Sequence, residues 1–124
     1  TVDASMLMCG KSGTAQVRNI STAERDSGVI KNDNLPWKQR DHALFVAFAP
    51  AEAPRYAVAV VVEHGGGGSA VAGPIARDAL LRALTGELPP LTAYPADQRG
   101  RIEAMLKELK LRLPDGSEPT PVKA

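Results

Sequence analysis

Two apolar runs set close together constrain this chain more than any other stretch. Residues 44–49 read Leu-Phe-Val-Ala-Phe-Ala and stop at Pro50, and residues 56–63 read Tyr-Ala-Val-Ala-Val-Val-Val-Glu. Each is expected as a strand. The short link between them contains Pro54 and suits an antiparallel hairpin. Apolar residues fall on consecutive positions in both runs rather than alternating, which predicts a sheet covered on both faces.

The flanking segments extend this outline. Residues 4–9 and 14–17 are expected as strand on either side of the punctuation at Gly10–Gly13. Residues 18–41 are polar and carry Asp26-Ser27-Gly28, Asn32-Asp33-Asn34 and Pro36, so they are expected as one long loop, functional or mobile. His64 and the run Gly65–Gly68 break the chain after the second apolar strand. A helix is predicted from about residues 70–74 to just before Gly86, with Pro74 in its first turn and Gly86 as its C-terminal cap. Ile75, Ala79, Leu80, Ala83 and Leu84 recur on one face, while Arg77, Asp78 and Arg82 are expected to point away.

Composition shifts after Pro89-Pro90. Ile102, Leu106, Leu109 and Leu113 mark a short amphipathic helix, and the end from Ser117 is expected to be disordered. The organisation is therefore a structured unit over residues 1–86 and a Pro-rich, charged tail over 87–124. The fold class is α+β, an antiparallel sheet segment with a C-terminal helix packed on one face. Such a piece would leave sheet edges unpaired and a face uncovered, so further protein segments are expected to complete it.

Several function classes are disfavoured by composition. At 124 residues there is room for one domain at most, and with aromatics at 4% the core must be aliphatic. A net charge of +1 gives no electrostatic case for nucleic acid. The lone Cys9 excludes an internal disulfide and is expected as a small buried residue. The apolar run at residues 57–62 is too short to cross a bilayer. Thr1-Val2-Asp3 shows no signal-peptide pattern, and the chain is expected to be a piece of something longer. His42 and His64 stand apart from any cluster with metal-ligand spacing, so they are expected as structural residues at strand ends, with no metal. The glycine run closes onto no βαβ unit, so neither a dinucleotide nor any other cofactor is expected.

The chemistry concentrates in Lys11-Ser12-Gly13-Thr14, which places a cation, two hydroxyls and a residue without Cβ on one extended segment. A phosphate loop would require glycine where Ser5 stands, and a helix where Thr14-Ala15-Gln16-Val17 favours strand. A solvated turn arising by chance is the bland alternative. The third alternative is the Lys-Thr/Ser-Gly strand of penicillin-recognising enzymes.

Three blocks in order carry that last alternative: Gly10 to Val17, Arg40 to Pro50, and Val58 to Gly68 ending Val-Glu-His-Gly-Gly-Gly-Gly. Together they resemble the end of the transpeptidase domain of class B penicillin-binding proteins, and among these the elongation-type branch of penicillin-binding protein 2. The resemblance covers residues 10 to about 85 and thins over the 18–36 loop and beyond Gly86.

It implies a penicillin-binding/β-lactamase-like transpeptidase fold and a peptidoglycan D,D-transpeptidase working through a serine acyl-enzyme. Lys11 would supply positive potential for the substrate carboxylate, and the Ser12 and Thr14 hydroxyls would clamp it. Gly13 would allow close approach, and the Thr14 backbone N–H would be one oxyanion-hole donor. The nucleophile's Ser-x-x-Lys and the Ser-x-Asn motif are absent, since none of Ser5, Ser12, Ser21, Ser27, Ser69 and Ser117 has the required residue after it. This chain alone is therefore expected to be inactive. The implied partners are the stem peptide, β-lactams, the nucleophile-bearing remainder of the domain and the cell-elongation machinery. The implied location is the periplasmic side of the bacterial inner membrane, with an anchor these residues do not contain. A non-catalytic module of the same fold, binding peptide or protein, is the alternative function. Trp37 is open between rimming the cleft and packing under the loop.

Overall fold

The computed structural model describes residues 3–110, 112 and 115–117. The expected hairpin is present: β2 (His42–Ala49) runs antiparallel to β3 (Tyr56–Val62), with Leu44 opposite Val61 and Ala47 opposite Val58. β1 (Cys9–Ala15) pairs antiparallel with the other side of β2, giving a sheet ordered β1-β2-β3. Together with the helices this is the α+β arrangement anticipated.

β1 corrects one expectation. Gly10–Gly13 does not separate two strands; it lies inside a single one, and residues 4–6 form a 3₁₀ turn (Ala4–Met6). Asp3 caps that turn, its carboxylate accepting the Ser5 N–H at 2.9 Å and the Ser5 hydroxyl at 2.8 Å. Glycine sits within a strand where something approaches closely. A Cβ at Gly10 would lie 2.5 Å from a Phe45 ring carbon, so the ring occupies the space a side chain would need.

Residues 43, 45, 47 and 49 of β2 share one face. Ala43, Ala47 and Ala49 are buried, and Leu80 of α2 (Gly73–Thr85) packs on Ala47 and Ala49. The opposite face is open, with Val46 at 54% and Val61 at 63% exposure. The expectation of two covered faces therefore holds for one only.

α2 starts after a π-type turn (Gly68–Ala72), has Pro74 in its first turn, and ends at Gly86 in the left-handed region (φ 72°). Those limits match the sequence prediction, but the buried face is rotated from it. Gly73, Ala76, Leu80 and Leu81 are buried, whereas Ile75 is 48% exposed and Ala79 and Ala83 face solvent. The cause is a second neighbour. Leu81 joins Ala93, Tyr94 and Ile102 in a separate core cluster, so the residues after Gly86 pack on α2. Arg77, expected to point outward, lies with its guanidinium 4.8 Å from the Tyr94 ring centre and donates to Gln98 Oε1 at 3.0 Å. α3 (Arg99–Glu108) ends before Leu109, which is extended, so the predicted continuation of the helix to Leu109 is corrected. Leu113 and residues 118–124 of the expected disordered end lie outside the described residues.

The polar stretch 18–41 is less loop-like than expected. It contains α1 (Thr22–Ser27) and two 3₁₀ turns, Asn32–Asn34 and Trp37–Gln39. Ser21 caps α1 by accepting the Glu24 N–H, and Ser21-x-x-Glu24 is a helix-start signature readable in the sequence. Arg18 grips Glu24 through two guanidinium nitrogens, and the Ile30 N–H donates to the same carboxylate at 3.1 Å. The Arg18 hydrogen bond, then the Ile30 N–H, hold the Glu24 carboxyl at about 2, below its ordinary 4.5. A depressed folded-state value means this staple stabilises fully above the ordinary range and is lost as pH falls from 4.5 towards 2. Carboxyl titration by NMR is expected to give a Glu24 midpoint near 2, returning towards 4.5 in Arg18→Met. An ordinary midpoint in the unaltered protein would mean the pair is not formed.

Candidate active site

Lys11, Ser12, Gly13 and Thr14 all lie on β1, an outer strand whose second edge has no partner among the described residues. By register, Ser12 and Thr14 share the face of Phe45 and Ala43, on the helix side, while Lys11 and Gly13 share the open face with Val46 and Leu44. The two hydroxyls thus stand on one side of the strand and the cation on the other, with the free edge between them. Ser12 and Gly13 are half-buried, and Lys11 and Thr14 are exposed.

Backbone directions follow from the same register. The Gly13 nitrogen and oxygen and the Leu44 oxygen all lie within 3.1 Å of where a Cβ on Gly68 would stand. Gly13 therefore turns its backbone groups toward β2. In an antiparallel strand alternate residues face opposite ways, so Ser12 and Thr14 present theirs at the free edge. Lys11 Nζ donates to the Ser12 carbonyl at 2.7 Å, which brings the ammonium to that edge. Cys9 is exposed rather than buried as expected, because it begins β1 on the uncovered face opposite Phe48.

The C-terminal end of the strand is fastened to the glycine corner. His42, opposite Ala15, accepts the His64 backbone N–H on Nδ1 at 2.9 Å. His64 Nδ1 in turn meets the Arg40 carbonyl at 2.9 Å, which requires the proton on that nitrogen. His64 holds a left-handed φ of 53°, uncommon for a residue with a Cβ. The two histidines, read from the sequence as isolated, thus stand with ring centres 4.7 Å apart, and both serve strand ends as expected. Trp37 packs edge-on against His64 at 4.6 Å while remaining 55% exposed.

Asn32 and Asp41 complete the fastening and were not singled out in the sequence. The Asp41 N–H donates to Asn32 Oδ1 at 2.8 Å, and the Gly66 N–H donates to the Asp41 carbonyl at 2.9 Å. Val17, just past β1, donates its N–H to the Asp41 carboxylate at 3.2 Å. These bonds span 9 to 25 residues and leave no local pattern, whereas α1 has a local signal in Ser21 and Glu24 that the loop expectation passed over.

Known proteins share parts of this sequence. The family described as the penicillin binding protein transpeptidase domain matches residues 3–81. The chain is 38% identical over 92 residues to the Haemophilus influenzae peptidoglycan D,D-transpeptidase MrdA, covering 74% of this chain and 14% of that protein. Among solved structures it is similar to Pseudomonas aeruginosa PBP2 in complex with WCK 5153, at 42% identity, 73% of this chain, 17% of that one and a TM-score of 0.43. It is also similar to PBP2 in the complex with MreC from Helicobacter pylori, at 32% identity, 64% of this chain, 12% of that one and a TM-score of 0.45. The chain thus spans a small part of each relative. With residues 3–81 of its 124 matched, it belongs to the penicillin-binding protein transpeptidase domain family.

Proposed function

We propose that the complete protein carrying this chain is a peptidoglycan D,D-transpeptidase of the serine acyl-enzyme type, and that this chain forms the Lys-Ser-Gly-Thr wall of its active site. The observation that carries the proposal is the free edge of β1, to which the Ser12 carbonyl holds the Lys11 ammonium and toward which the register turns the Thr14 N–H. Lys11 draws in the terminal carboxylate of the stem peptide. The Ser12 and Thr14 hydroxyls, on one side of the strand, hold that carboxylate. The peptide lies along the strand edge by β-addition, unobstructed at Gly13. The Thr14 N–H donates to the oxyanion as the serine of another segment attacks the penultimate D-Ala carbonyl. Terminal D-Ala leaves, and a neighbouring strand's amine then takes the acyl group. β-Lactams occupy the same place as donor mimics.

In this proposal the open sheet face and the outer edge of β3 receive the remainder of the domain, and the free edge of β1 stays open to the peptide. The cell-elongation machinery supplies further partners; the Helicobacter pylori relative was solved with MreC. The site faces the periplasm, and no described helix is long and apolar enough to cross a membrane.

A fluorescent penicillin tests the proposal. The complete protein is expected to form a covalent adduct, and a chain of these 124 residues alone is expected to form none. No adduct on the complete protein would favour a peptide-binding module without catalysis. An adduct on the short chain would place the nucleophile among these residues and overturn the division of labour.

A further inference from the structure

The glycine corner does more than join β3 to α2. Gly68, buried at the start of the π-type turn, lies directly beneath the middle of β1. A Cβ there would stand 2.5 Å from the Leu44 carbonyl oxygen, 2.6 Å from the Gly13 oxygen and 3.1 Å from the Gly13 nitrogen. These are rigid backbone atoms, so no rotamer change could relieve the overlap. One turn further on, a Cβ at Gly73 would already stand 3.4 Å from the Phe45 ring, and that ring lies under Gly10. Two supports thus hold the site strand from behind, one under Gly13 and one under Gly10.

We infer that Gly68 is a positioning residue for the transpeptidase site, setting the height of the Gly13–Thr14 peptide and hence the aim of the Thr14 N–H. This inference rests on the function proposed above. The physical basis is direct. A side chain at Gly68 must lift β1 away from the turn or push the turn from the sheet. An oxyanion donor works only within a narrow range of distance, and a displacement of about 1 Å can cost about 10²-fold in rate. Gly68 itself meets neither substrate nor the reacting atoms.

Gly86 provides the control, because it holds a left-handed φ of 72° at the end of α2 and a Cβ there would meet nothing within 4 Å, so alanine strains the cap without touching the sheet. In the complete protein, Gly68→Ala and Gly86→Ala are both expected to lower the melting temperature. Acylation by a fluorescent penicillin, resolved into initial binding and the acylation rate constant well below each melting point, separates them. Gly68→Ala is expected to lower the rate constant about 10²-fold, with Gly86→Ala within a few-fold of the unaltered protein. Equal rate constants in the two variants, or a loss that only tracks the unfolded fraction, would overturn the inference.

If Gly68→Ala does not fold, it is made in a background carrying Gly100→Ala, which puts a helix former on α3 where a Cβ meets nothing within 4 Å, and acylation is followed at low temperature. A rate constant equal to that of the background alone would overturn the inference. Gly13→Val in the same background distinguishes the two levels. If it acylates normally, the site assignment fails and takes this inference with it. If it is slow while Gly68→Ala is normal, only the role of Gly68 fails.

Discussion

Gly13→Val in the complete protein is expected to slow β-lactam acylation by at least about 10²–10³-fold, with the fold kept. Residue 13 precedes the peptide unit that carries the Thr14 N–H, so a β-branched side chain flanks that donor on the open face. Losing one oxyanion donor costs roughly 3–4 kcal/mol of transition-state stabilisation, and a clash with the incoming acyl group adds to it. The sheet has little reason to object. A Cβ at Gly13 would meet only Leu44 Cβ at 3.5 Å, an ordinary contact, and valine favours strands. Acylation kinetics and a melting curve on the same preparation decide the matter. Near-normal acylation, or a loss that follows unfolding, would make Gly13 a residue of the sheet and not of the site.

The contrast between Gly13 and Gly10 shows why β1 was misread. Both are glycines in a strand, and a strand reader takes glycine as a break. At Gly10 the missing Cβ makes room for the Phe45 ring, a contact across the sheet with no trace in neighbouring residues. At Gly13 a Cβ would fit, so packing on Leu44 does not require the glycine there. The hairpin, by contrast, was legible because its apolar runs and Pro50 are contiguous in sequence. α2 was legible in its limits for the same reason, since Pro74 and Gly86 mark its ends locally. Its buried face was not, because Leu81 answers to Tyr94 and Ile102, which lie further along the chain and were read as a separate tail.

The candidate site divides in the same way. The order Lys-Ser-Gly-Thr, and the blocks around Asp41 and His64, could be read directly. What those blocks do for one another could not. Arg40, Asp41 and His64 hold the entry to β2 against the glycine corner, and Asp41 also takes the Val17 N–H just past β1, through hydrogen bonds that only the folded chain assembles. Gly68 under Gly13 is a contact of the same kind, spanning 55 residues and visible only as a distance.

Lys11→Ala is expected to have the second large effect. Lys11 is exposed and its side chain's only described hydrogen bond is to the Ser12 carbonyl, so truncation should change stability by no more than about 0.5 kcal/mol. Its loss from the active site should be far greater, because a charge at the strand edge gains strength once substrate and the rest of the domain exclude water. A fall in acylation of about 10²–10³-fold is expected, comparable to removing another preorganised electrostatic group. Lys11→Arg separates charge from shape. Its cation is retained, but a planar fork replaces a compact ammonium with three rotatable donors. If Lys11 acts through potential alone, arginine restores most of the rate. If it must also donate to a group on the facing segment, arginine restores β-lactam binding and leaves the rate constant low. Unchanged acylation in Lys11→Ala would return this lysine to the solvated surface and leave the tetrapeptide without its cation.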